Sequence, residues 1–133
     1  MLIPAIHFPG NCADAIALYQ KALNATVISI AYNKDAPPDS HMHAIAENAQ
    51  QVMHAELEIA GTRVNMCDAS SDIVSGNMYR FNIFFDTVDE VVDAYNQLSA
   101  GGHIITALGP QFWTEMYGDV EDPYGVLWQL MAK

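Results

Sequence analysis

Basic residues are scarce. Five lysines and arginines stand against sixteen aspartates and glutamates, a formal charge of −11 with the histidines neutral. That balance opposes the counterion release that drives nucleic-acid binding and repels anionic membrane surfaces, so neither is expected as a partner. Cysteine is scarcer. Cys12 and Cys67 are too few for a disulfide framework and lack metal-type spacing, which makes them reduced packing thiols. If Asn11 caps a helix, Cys12 falls in its first turn, where the positive dipole end lowers a thiol's pKa. No apolar run approaches the roughly 18 residues of a membrane span. The opening MLIPAIHFPG lacks the basic start and long apolar stretch of a signal peptide, and the expectation is a cytoplasmic chain. Nucleophile elbows, phosphate loops and dinucleotide fingerprints are missing as well. The turn at Gly10 stands alone and Gly101-Gly102 follows a helix as a stop signal, so an adenosine-bearing methyl donor finds no anchor.

What is present is enough for one core. With 133 residues, 51% hydrophobic and only 16% charged, the chain fits a single folded domain rather than a disordered one. Residues 2–8 predict a strand that enters a helix over 13–23 through Pro9-Gly10-Asn11, with Asp14 early and Lys21 late as the macrodipole prefers. Residues 25–32 are rich in β-branched and aromatic side chains and predict a second strand. The stretch 33–51 is long for a bare connection, so part of it, over 41–49, is expected to form a short helix or a flap. From 51 to 59 the residues alternate: Met53, Ala55, Leu57 and Ile59 form one face and Val52, His54, Glu56 and Glu58 the other, the period of a half-buried strand. Ala60-Gly61-Thr62 turns the chain back into a strand over 63–67, and 68–77 reads as a linker.

The order then repeats. Residues 79–85 predict a strand, Thr87 with Glu90 fits a capping box, and Val88, Val91, Val92, Tyr95 and Leu98 carry helical spacing. Strands are predicted over 103–108, 111–117 and 126–131, the last two joined by Asp122-Pro123-Tyr124-Gly125. Strand, helix and three strands, twice over, define an α+β chain of two tandem βαβββ modules. These span residues 1 to about 68 and about 78 to 133, with curved mixed β-sheets around a cavity and one helix outside each sheet.

That order, with GNCADAIALYQKALNA at the front, HAELEIAG in the middle, Phe112-Trp113 followed by Gly118, and DPYGVLWQL at the back, resembles the vicinal oxygen chelate superfamily of glyoxalases, bleomycin-resistance proteins and extradiol dioxygenases. Within it the likeness is to the PhnB-like branch. The resemblance implies a homodimer, a cavity between modules, and in many relatives a divalent metal held by one ligand from each of four strands. Counted onto this sequence, the first position falls on Pro4, the third on Arg80 and the fourth on Gln129; the second lies within 64–68, where Asp68 alone is an ordinary ligand. The inherited site is therefore expected to be dismantled, with no metal and no cofactor.

Other residues offer a different site. His7, His54 and Glu56 make a His/His/Glu metal site or an acid–base pair if the strands bring them together; otherwise His7 is a hydrogen-bonded rim histidine and Glu56 and Glu58 a solvated face. His41 and His43 read as surface histidines with no third ligand nearby. Trp113, Glu115 and Tyr117 alternate on one predicted strand, an aromatic wall with a carboxylate that suits a flat or cationic molecule, unless the two aromatics fill core or dimer interface. Trp128 is expected beneath a helix. The expected ligand contacts are thus His54, Glu56, Trp113, Glu115, Tyr117 and His7. They point to a protein binding a small, partly aromatic molecule, against the alternative of a metal-dependent lyase, isomerase or dioxygenase with a relocated site.

Overall fold

The computed structural model describes residues 1–39, 48–69 and 72–133. The expectation for 41–49, and with it His41 and His43, lies outside the described residues except for Asn48 and Ala49, which sit in a turn. The chain divides into two compact units, Met1–Ile73 and Val74–Lys133, and each carries a four-stranded mixed, curved sheet with one helix.

In the first unit the elements are β1 (Ala5–Phe8), α1 (Cys12–Leu23), β2 (Thr26–Tyr32), β3 (Val52–Ile59) and β4 (Thr62–Asp68), in sheet order β1-β4-β3-β2. The pair β1/β4 is parallel and the others antiparallel. Ile16, Tyr19 and Leu23 from α1 are buried, as are Ala55, Leu57, Ile59, Val64 and Met66 from the sheet. Two expectations change here. Val52, assigned to the solvated face, is fully buried. The pairing slips between Ala31↔His54 and Tyr32↔Val52, so Met53 is an extra residue in β3, and such a bulge inverts the alternation beyond it. Asn11 makes no side-chain cap; among the described residues its Oδ1 is buried without a partner, and the cap comes from Asp68 on β4 instead. Asn24 ends α1 in the left-handed conformation.

The second unit holds β5 (Phe81–Phe85), α2 (Val88–Ser99), β6 (His103–Gln111), β7 (Thr114–Glu121) and β8 (Leu127–Ala132), in order β5-β8-β7-β6, again with one parallel pair, β5/β8. Thr87 Oγ1 accepts from the Glu90 amide at 3.2 Å and donates to the Glu90 carboxylate at 2.9 Å, a capping box closed through side chains. Strands β6 and β7 run further than predicted because Gln111 pairs with Thr114, which places Phe112 and Trp113 in a two-residue turn rather than on a strand. Gly118 faces α2: a Cβ there would meet the Tyr95 ring at 2.6 Å. Trp128 is buried against Phe81, ring centroids 5.3 Å apart, and its indole N–H donates to Asp122 at 2.9 Å. Asp122 also accepts from the Tyr124 and Val126 amides, so the DPYG segment is a structural clasp.

Candidate functional site

In the first unit the parallel pair β1/β4 sets His7 opposite Cys67, and the antiparallel register Ala55↔Met66 carries His54 to the other side of Cys67. His7, Cys67 and His54 thus form one row across three strands, on the face opposite Ala55 and Met66. Together with Asn65 they line a cavity of about 110 Å³. Glu56 lies one step along β3; its carboxylate is 3.6 Å from His54 Nε2 and is ion-paired with Arg63. Burial, and after it the Asp68 carboxylate, pushes the Cys67 thiol up. The same causes push Cys12 to about 12, so the expected dipole-lowered thiol is corrected: desolvation outweighs the helix end.

Asp68, the one ordinary ligand in the counted second position, is occupied otherwise. Its Oδ1 accepts from the amides of Gly10 at 3.0 Å and Cys12 at 2.9 Å, and its Oδ2 from that of Val52 at 2.8 Å. One carboxylate therefore fastens the start of α1 and the start of β3 to the end of β4.

In the second unit Gly118 faces α2, so Tyr117 and Asp119 point to the opposite face of β7. Asp119 Oδ2 accepts from Arg80 Nη1 at 3.0 Å, and Gln129 is the register partner of Asp119 on β8. Burial and then Asp119 push the Tyr117 phenol up, against the opposing effects of Arg80 and a hydrogen bond with Gln129. Arg80, Tyr117, Asp119 and Gln129 are thus one polar cluster. Tyr117 meets Trp113 edge to face at 5.5 Å, and Trp113 meets Phe112 likewise at 4.9 Å. Trp113 is half exposed and Phe112 almost wholly so.

The six expected contacts fall into two sets, one per unit. His7 and His54 share a cavity, with Glu56 beside His54; Trp113 and Tyr117 touch, while Glu115 is exposed on β7. Among the described residues no three His, Cys, Asp or Glu side chains converge so as to hold a metal ion. Sequence reasoning missed Cys67 and Asp119. Extending the alternation Glu115, Tyr117 by one step reaches Asp119, which lies beyond the predicted strand over 111–117; Cys67 appears only once strand register is known.

The chain matches the Glyoxalase/Bleomycin resistance protein/Dioxygenase superfamily over residues 5–130 and belongs to it. Protein YjdN of Escherichia coli strain K12 is 33% identical, covering 97% of this chain and 92% of that protein. Among solved structures, protein PA1353 from Pseudomonas aeruginosa superposes with a TM-score of 0.84 at 24% identity, over 100% of this chain and 97% of that one. The PhnB protein from Bacillus cereus gives 0.82 at 20% identity, over 99% and 98%. At these identities the two structures establish the glyoxalase-like fold alone.

Proposed function

We propose that this protein binds a small, partly aromatic molecule on the face of the second module turned away from α2, and does so without the metal of its metal-bearing relatives. The observation that carries this reading is the run Phe112, Trp113 and Tyr117: three aromatic rings in successive edge contacts, two of them open to solvent, ending on a polar cluster. Large exposed aromatics in a soluble fold are costly unless something covers them, and an aromatic patch with a few polar anchors is the usual build of a ligand site. Loss of the metal is supported by what stands in the counted positions. Arg80 is already paired with Asp119, Gln129 is a neutral amide, and Asp68 is spent on three backbone amides. A divalent cation beside a guanidinium would be repelled rather than held.

The reading includes a single domain of modules 1 to about 68 and about 78 to 133, a cytoplasmic location, and a homodimer. Ile28 on the edge strand β2 and Ile104 and Ile105 on the edge strand β6 are exposed, which fits surfaces that a partner copy covers. The alternative, a metal-dependent lyase, isomerase or dioxygenase with a relocated site, is favoured by one observation, the shared cavity of His7 and His54.

Thermal shift with small aromatic compounds, with and without divalent ions, separates the two, since a ligand selective for the folded state raises Tm. Metal-independent stabilisation that disappears in Trp113→Ala is expected; stabilisation that needs a metal and is lost in His54→Ala overturns the binding reading. Trp113 is half exposed, so its removal leaves the fold intact and the comparison clean.

A further inference from the structure

Asp119 carries a second oxygen that the ion pair does not use. Its side chain is only 4% exposed, and among the described residues Oδ1 is shut from solvent without a hydrogen-bond partner while Oδ2 takes the Arg80 bond. A buried carboxylate oxygen with no donor is more costly than an orphaned neutral amide, and native structures satisfy such atoms with water or a ligand. Arg80, the other charged member of the cluster, is about one-third exposed, so the ion pair lies at the edge of the buried region rather than deep within it.

We propose that Asp119 Oδ1 is the recognition point for a neutral hydroxyl on the aromatic ligand, that is, for a phenol-type molecule. The inference rests on the aromatic site proposed above and adds the group that is read. Two features select a neutral hydroxyl. Charge is the first: Arg80 already neutralises Asp119, so a cation meets the guanidinium and an anion meets the carboxylate. Position is the second. Tyr117 lies two residues back on the same face of β7, roughly 7 Å away, and its ring leads on to Trp113, so a ring attached to that hydroxyl lies along the aromatic run. Asp119 accepts the ligand's O–H, and Arg80 holds the carboxylate in place as a positioning residue.

Calorimetric titration of the full chain with p-cresol, its methyl ether 4-methylanisole, and the benzylammonium ion tests this. The cresol is expected to bind about tenfold more tightly than the ether, as a hydrogen bond to a charged acceptor warrants, and the ammonium more weakly than both. In Asp119→Ala the preference for cresol over the ether is expected to vanish. Equal affinities for cresol and ether in the unaltered protein, or a preference that persists in Asp119→Ala, overturn the hydroxyl site; Oδ1 then holds a water only, and the aromatic reading stands. Absence of binding by all three removes the aromatic reading as well. The comparison in the unaltered protein decides the matter even if Asp119→Ala does not fold.

Discussion

Replacing Asp68 by asparagine separates a structural clasp from a lost ligand. The carboxylate accepts three backbone N–H groups, from Gly10, Cys12 and Val52, at 2.8 to 3.0 Å. An amide has one acceptor oxygen, so in Asp68→Asn the Val52 amide or the pair at Gly10 and Cys12 faces an NH₂ group, and the charge that strengthened all three bonds is gone. Hydrogen bonds to a charged group contribute about 1.5–3 kcal/mol each, but Gly10 is exposed and water replaces its bond at little loss. The net cost is about 3–5 kcal/mol. Over 133 residues, an unfolding entropy near 2.1 cal/mol/K per residue amounts to about 0.28 kcal/mol/K, so the melting temperature falls by roughly 10–18 °C. Thermal unfolding followed by circular dichroism, in metal-free buffer and again with added zinc or manganese, measures it. Were Asp68 a metal ligand rather than a clasp, the loss would appear only with metal present. A metal-free melting temperature within ~2 °C of the parent protein would refute the reasoning.

Gly102→Ala is expected to prevent folding or to destabilise by several kcal/mol, because its Cβ would stand 2.1 Å from the Glu121 carbonyl oxygen and 2.9 Å from the Asp122 carbonyl carbon, backbone atoms that cannot turn aside; soluble yield and denaturant titration report it. For Cys12, whose thiol is raised from 9.0 to about 12 in the fold, the unfolded chain releases the proton first as pH rises. Its contribution is therefore full below pH 9 and is lost progressively up to about pH 12, and in Cys12→Ala this alkaline loss of stability should be shallower in denaturant titrations across that window.

Much of the fold was legible because local chemistry and tertiary packing agree. The repeat of strand, helix and three strands rests on signals the folded chain uses: the Thr87/Glu90 box, the helical spacing of Val91, Tyr95 and Leu98, the alternation of Ala55, Leu57 and Ile59. Two of the misreadings, those of Val52 and Trp113, share one cause, information held only in strand pairing. Val52 reads onto the wrong face because no residue type announces the bulge beside it. Trp113 reads as part of a strand because no residue type marks the Gln111–Thr114 pairing that puts it in a turn and starts β7 three residues later.

The site shows the same division more sharply. Residue type identified Trp113, Tyr117, His7 and His54 as chemically able, but type cannot tell which oxygen of which acid is already bonded. Asp68 and Asp119 look alike in sequence, single acids at or near strand ends. In the fold one is saturated by three amides and the other is half-used beside a guanidinium. That difference decides which of them can still recognise something. On the proposed reading, specificity for a neutral ligand in a chain whose charge is −11 would come from neutralising one carboxylate locally, as Arg80 does for Asp119, and leaving a single acceptor over, rather than from the charge of the surface at large.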